Sequence, residues 1–298
     1  MKTTPQVKKI IRQSLKLTRI KQRFLNRKNT HRFMLRHGQQ TIQQKIINFK
    51  NLKSFVKREN VETLPVIQLT SNIQNNHIII YFHGGAFVQG CTSYHLKFMD
   101  DLVQSTDMML LCPLYSRLPV SDASQTLHEL TIMMKQVFDL IPLSISLVGD
   151  SAGGWLTLSL AQIMRDQFQT SPAHLFLLSP WLDLTMNKVN PDLENKDVIL
   201  SYDGLRYLGE QFNLHHSVGY QFNDSLRQLG KIHLFVTNHE LFYDQVIEFQ
   251  TQAKFQNINT NVYIDEALFH DYMLFPLPES KEVLKKIIHE LKTLTSVK

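Results

Sequence analysis

Cysteine is nearly absent: the 298-residue chain holds two, Cys91 and Cys112, too few for a disulfide framework, and both are expected to be buried and reduced. There is no C-x-x-C pair. His128-Glu129, His239-Glu240 and His289-Glu290 each lack the second histidine of H-E-x-x-H, so zinc catalysis gets no support. No G-x-x-x-x-G-K-[ST] or G-x-G-x-x-G is present to cradle nucleotide phosphates, and no cofactor or metal is expected. Long apolar runs are missing as well. The longest, Ile78 to Phe82 and Met108 to Leu111 with its continuation, fall far below the roughly 18 residues that span a bilayer. Arg12, Lys16, Arg19 and Lys21 interrupt any run resembling a secretory signal, so a cytoplasmic location is expected.

Acidic residues are missing from one region. Residues 1–60 hold 17 Lys and Arg against the single acid Glu59, whereas the remainder holds 15 basic and 25 acidic side chains. Lys8, Arg12, Lys16, Arg19, Arg23 and Arg27 recur at helical spacing, with Ile10, Leu17, Ile20 and Phe24 roughly opposite, which predicts a helix from Pro5 to Arg27. A second helical piece is expected around Thr41 to Val56. Like charges at this spacing repel, so the helix needs packing or an anionic partner. The expected arrangement is a cap over the acidic body with its basic face solvated. An anionic membrane surface is the alternative partner, which would place the protein at the periphery of the inner membrane. Few aromatics and no recognisable module speak against nucleic acid.

From residue 61 the sequence changes character. Strands are expected at Val61–Leu69, His77–Phe82, Met108–Tyr115, Ser144–Val148, His174–Leu178, Ile232–Thr237 and Asn261–Ile264. Helices are expected at Leu127–Leu140, Ala152–Phe168, Tyr243–Phe255 and Lys281–Leu294. Repeated β-α-β implies an α/β fold, a mostly parallel sheet with helices on both faces. Polar, mixed sequence between about 181 and 216 reads as an insertion able to cover a site. The expected organisation is a basic helical cap segment, 1–60, and a catalytic domain, 61–298, carrying that insertion.

Five of the eleven glycines lie in two clusters, Gly84-Gly85 and Gly149, Gly153 and Gly154. The second cluster frames Gly149-Asp150-Ser151-Ala152-Gly153 between an expected strand and an expected helix, the context of a G-x-S-x-G nucleophile elbow. A sharp turn there lifts the Ser151 hydroxyl above the sheet. The helix that follows aims its first N–H groups, Ala152's among them, at an oxygen gaining negative charge. His83-Gly84-Gly85-Ala86-Phe87 follows a strand, and Gly84 and Gly85 allow close backbone approach, which makes them the candidates for the remaining oxyanion donors.

These two motifs, with Ser-Pro-Trp-Leu-Asp-Leu at 179–184, resemble the hormone-sensitive-lipase-like family of α/β-hydrolases over roughly residues 61–290. The resemblance implies an α/β-hydrolase fold, a helical cap, and a serine hydrolase of carboxylic esters with short to medium acyl chains. A serine needs a base and an orienting acid, in the chain order serine, acid, histidine. Of the histidines after Ser151, His174 and His233 enter strands, His215 and His216 fall in the insertion, and His289 sits among lysines. His270 lies where the family places its base, although Asp271 follows it where the family usually has glycine. Glu240, aligned on the family's D-x-L pattern, is the expected acid, with Asp244 and Asp265 as alternatives. Trp155 stands where a smaller or polar residue is common. Two other readings use the same fold: a non-catalytic ligand-binding protein, and an amidase or peptidase.

Overall fold

The computed structural model describes residues 2–38, 49, 52–71, 76–140, 144–188, 190–214, 218–221 and 224–294. Eight strands form one sheet in the order β1-β2-β4-β3-β5-β6-β7-β8, spanning Phe55–Val61, Leu64–Thr70, His77–Phe82, Met109–Pro113, Ser144–Asp150, His174–Leu178, Lys231–Thr237 and Thr260–Asp265 in chain order. β2 is antiparallel to both its neighbours and every other pairing is parallel. The central strands read as near-continuous apolar runs because both their faces are covered.

Their side chains alternate between two cores. Ile78, Ile80, Leu147, Leu175, Leu177 and Leu234 face one, and Ile79, Tyr81, Val148, Phe176, Leu178 and Phe235 the other. The first core is closed by α4 (Ala123–Leu140), α5 (Ala152–Phe168) and α8 (Tyr243–Phe255), and the second by α3 (Ser93–Thr106) and α9 (Pro278–Thr293). Each fully buried Leu or Ile contributes about 1.5–3 kcal/mol relative to exposure. α3 was not anticipated as an element, although Leu96, Met99, Leu102 and Val103 recur at helical spacing and are buried.

Several expectations are corrected. The expected strand Val61–Leu69 is mostly β2: Val61 ends β1, and Glu62, in left-handed backbone (φ 54°), turns the chain into β2 at Leu64. No glycine, proline or asparagine marks that turn. The single helix Pro5–Arg27 is interrupted: α1 spans Pro5–Leu17, Arg19 is left-handed (φ 56°), a 3-10 turn covers Ile20–Arg23, and α2 begins at Arg27. Phe24 explains the break, since its ring must reach inward to pack on Phe33 at 5.3 Å. The expected helix Thr41–Val56 falls largely outside the described residues, and its last two positions open β1.

The basic face is not uniformly solvated either. Lys8 is buried, donating to the Glu266 carbonyl at 2.7 Å and facing Glu279 at 3.3 Å, and Arg12 donates to the Lys196 carbonyl at 2.7 Å. The insertion holds α6 (Pro191–Lys196) and α7 (Tyr202–Phe212). α2 (Arg27–Gly38) lies against α7: His31 Nδ1 meets the Tyr207 hydroxyl at 2.6 Å, and a Cβ on Gly204 would stand 2.3 Å from the Phe24 carbonyl. The two helical segments outside the sheet therefore pack on one another.

Candidate active site

Parallel strands carry the chain to one edge of the sheet, and the residues that follow β3, β5, β7 and β8 converge there. Ser151 comes immediately after β5, in a backbone conformation (φ 50°, ψ −120°) that non-glycine residues rarely adopt and that costs about 1–3 kcal/mol. The turn is held by Ser151 N–H donating to Leu178 O at 2.8 Å and by Trp181 N–H donating to Ser151 O at 2.9 Å. Close packing explains the glycines. A Cβ at Gly149 would lie 2.3 Å from the Gly153 carbonyl, and one at Gly153 would lie 1.9 Å from the Phe82 carbonyl.

His270, in the loop after β8, points Nε2 at Ser151 Oγ across 2.9 Å. Its Nδ1 meets Glu240 Oε2 at 2.6 Å. The other Glu240 oxygen accepts from the Ser179 hydroxyl at 2.8 Å and from Thr237 N–H at 3.0 Å, so the fully buried carboxylate is fixed at both ends. The alternatives lie elsewhere. Asp244 accepts from the Asn190 side chain at 2.9 Å on the surface, and Asp265 accepts from the Tyr272 hydroxyl at 2.6 Å and from Lys2 at 3.2 Å. His215 and His216 are outside the described residues, and His289 is exposed.

Gly84 lies against the serine: a Cβ there would be 2.9 Å from Ser151 Cβ and 2.2 Å from Asp150 Oδ2. Gly85 is in the glycine region (φ 114°), and its carbonyl accepts from Val88 and Gln89. His83 anchors this turn from below, with Nδ1 2.8 Å from Gly84 O and its ring stacked on Tyr115 at 4.5 Å. Burial, with Arg117 nearby, pushes His83 down to about 3, so it stays neutral. The N–H groups of Gly84, Gly85 and Ala152 have no backbone acceptor among the described residues, and Gly84 and Ala152 adjoin Ser151.

The fold matches that of known proteins. A family model described as the alpha/beta hydrolase fold matches residues 79–274. The chain belongs to this family. An esterase of Acinetobacter venetianus is 25% identical over 231 residues, covering 74% of this chain and 76% of that protein. An acetyl-hydrolase of Streptomyces hygroscopicus is 23% identical over 233 residues, covering 74% and 77%. LipR of Mycobacterium tuberculosis is 36% identical over 111 residues, and there the chain spans about a third of its relative, 36%. The crystal structure of EstE7, a hormone-sensitive-lipase homologue from a metagenome library, superposes with a TM-score of 0.78 at 18% identity, covering 98% of this chain and 99% of that one.

Within this alpha/beta hydrolase, five residues near the site hold roles that motifs and spacing do not show. Ser179 and Trp181 belong to the segment noted for its resemblance, but their bonds to Glu240 and Ser151 could not be read from it. Asp197, from the cap insertion, accepts from Leu241 N–H at 3.0 Å and so steadies the turn bearing Glu240. Burial raises its carboxyl above the usual range. Asp150 is held between the Tyr81 hydroxyl at 2.7 Å and His95 Nε2 at 3.2 Å. Burial alone would depress His95, but the Asp150 carboxylate outweighs it and raises the imidazole to about 9.

Asp271 is the fifth. It is left-handed (φ 57°), with Oδ2 3.1 Å from His270 Nε2 and Oδ1 buried without a hydrogen-bond partner among the described residues. Burial pushes its carboxyl up to about 6. Burial would also lower His270, yet Asp271 and Glu240 together hold it well above the ordinary histidine range.

His174 and His233 lie at the opposite end of the sheet. Their rings contact at 3.0 Å, Nδ1 to Nε2, and with Glu290 they offer three ligand atoms within 4.8 Å of one another. Lys231 already binds Glu290 at 2.7 Å, and Asn261 meets His233 at 3.2 Å. Cys112 is buried and Cys91 only half-buried, and both are free thiols.

Proposed function

We propose that this protein is a serine hydrolase of carboxylic esters. The single observation that carries the reading is the bond chain from Ser151 Oγ through His270 to Glu240, 2.9 and 2.6 Å. A lone serine hydroxyl is a weak nucleophile, and a base within this reach with an acid on its far nitrogen is what activates one. The names of the esterase and acetyl-hydrolase relatives support the same class.

His270 Nε2 takes the Ser151 proton as Oγ bonds to the ester carbonyl carbon, and Glu240 stabilises the imidazolium that forms. The carbonyl oxygen, now negative, accepts from the N–H groups of Gly84, Gly85 and Ala152, one such donor being worth about 2.7–4 kcal/mol. The imidazolium returns its proton to the departing alkoxide as the C–O bond breaks, leaving the acyl group on Ser151. Water then repeats the sequence, with its proton passing to His270 and back to Ser151, and releases the acid. None of these steps draws on a cofactor.

Short to medium acyl chains fit the packing beside the nucleophile. Trp155, in the first turn of α5, packs with Phe87 at 6.0 Å and Phe212 at 5.8 Å, and Phe87 stacks on Phe212 at 3.7 Å. These rings are buried, and in this reading they limit the space open to the acyl chain. Hydrolysis of p-nitrophenyl acetate and butyrate tests the proposal: wild-type turnover with loss of at least about 10³-fold in Ser151→Ala is expected. Equal rates in the two proteins would refute it.

A further inference from the structure

α1 is packed with its seam, not its apolar side, against the body. Lys8, Ile11, Arg12 and Leu15 face inward, where Lys8 and Arg12 bind the Glu266 and Lys196 carbonyls and Ile11 and Leu15 touch the core beneath α9. Val7, Ile10, Ser14 and Leu17, spaced 3, 4 and 3 residues apart, therefore share the outer side. Val7 is 44% exposed, Ile10 59% and Leu17 83%. Lys9 and Lys16 are exposed on the flank of the helix, about 100° around from Ile10 and Leu17, and make no ion pair among the described residues. The chain carries no acid before Glu59.

We propose that the outer side of α1 docks on an anionic lipid surface. An amphipathic helix with aliphatic side chains on one side and lysines along its edge lies in the headgroup region, its apolar residues entering the acyl boundary and its cations meeting lipid phosphates. The fixed inward bonds of Lys8 and Arg12 hold α1 in this rotation, so the apolar row is presented permanently. A second copy of the chain is the weaker occupant. Three aliphatic side chains on a 13-residue helix fall well short of the roughly 800 Å² per partner that a stable dimer buries, and two such segments repel through like charge. A shape-specific protein partner would need a concave or continuous face, whereas a bilayer accepts single protruding side chains by depth alone.

The placement gives docking a consequence. α1 bridges α6 in the cap, through Arg12, and the loop after β8 that carries His270, through Lys8. A docked α1 sets both elements beside the lipid, so esters in the membrane are the substrates the site meets first. This last step rests on the esterase reading, whereas the docking itself does not.

Co-sedimentation with vesicles of phosphatidylglycerol and phosphatidylcholine, 1:1, against pure phosphatidylcholine separates the outcomes without reference to catalysis. The full chain is expected to bind the anionic vesicles, to lose binding as salt rises, and to bind the neutral ones at least about tenfold more weakly. Ile10→Asp with Leu17→Asp, both at exposed positions, is expected to reduce anionic binding at least about tenfold, and Lys9→Gln with Lys16→Gln to weaken it several-fold. Hydrolysis of a soluble p-nitrophenyl ester by either variant should be unchanged, which also reports that the fold is intact. Equal partitioning of wild type and the aspartate variant would overturn the proposal. So would concentration-dependent dimerisation abolished by the aspartates, or binding to an acidic protein with no affinity for anionic vesicles.

Discussion

Asp271 Oδ2 lies 3.1 Å from His270 Nε2, the same nitrogen that faces Ser151 Oγ at 2.9 Å. A second carboxylate thus competes with the nucleophile for the base. His270 must lose its proton to act, and an ionised Asp271 opposes that loss.

The acid limb of the kcat/KM profile is therefore expected above the ordinary histidine range, because His270 is held above it. Asp271→Asn removes one of the two stabilising carboxylates and is expected to move that limb to lower pH. A pH-rate profile of both proteins on one soluble ester checks this. An unmoved limb, or one displaced upward, would show that Asp271 does not act on His270.

Gly84 tests the oxyanion site. Alanine there would put its Cβ 2.2 Å from Asp150 Oδ2 and 2.9 Å from Ser151 Cβ, so either the turn or the serine must shift. Gly84→Ala is expected to lower kcat roughly 10²–10³-fold, with a smaller effect on KM. A variant with wild-type kcat would place the oxyanion elsewhere.

Trp155 sets acyl length in this account. Trp155→Leu keeps an apolar residue in α5 while emptying part of the volume shared with Phe87 and Phe212. The ratio of kcat/KM for p-nitrophenyl octanoate over butyrate is expected to rise by about tenfold, the order that one or two methylenes are worth in an apolar pocket. The variant also loses the bond from the indole N–H to the Tyr220 carbonyl at 2.9 Å, so its thermal midpoint should fall.

His95 links stability to pH. Its folded-state value of about 9 exceeds the ordinary 6.5, so protonated His95 contributes stability that is fully present below pH 6.5 and is lost as pH rises to about 9. Asp150 stays ionised across that window and adds nothing to the change. At about 1.4 kcal/mol per pH unit the contribution is a few kcal/mol. Urea unfolding at pH 6.5 and pH 9.5 should show a larger drop for wild type than for His95→Asn. Subtracting the two removes the parallel effects of His270 and Asp271. Equal drops would mean that His95 is not charged in the fold.

The legible parts of the fold were those with a local cause. Ile78 to Phe82 and Met108 to Tyr115 read as strands from their apolar runs, and Gly149 and Gly153 mark the turn at Ser151 through the close packing that only glycine permits. Glu240 and His270, 30 residues apart, follow from chain order within a resemblance, and in the structure Glu240 meets His270, which meets Ser151. What stayed hidden depends on tertiary partners. Glu62 and Arg19 turn the chain in left-handed backbone without glycine, Asp197 reaches Leu241 from the cap, and Ser179 acquires its role only where β6 ends beside Glu240. The rotation of α1 was hidden for the same reason, since periodicity defines a helix's faces but not which of them meets the body.

The central claim is that Ser151 is a nucleophile sharpened by His270, and covalent capture tests it most directly. Intact-mass analysis after exposure to a fluorophosphonate is expected to show one adduct, mapped to Ser151, absent from Ser151→Ala and strongly slowed in His270→Ala. Folded protein that gains no adduct, or gains it at another residue at the same rate in all three proteins, would contradict the account.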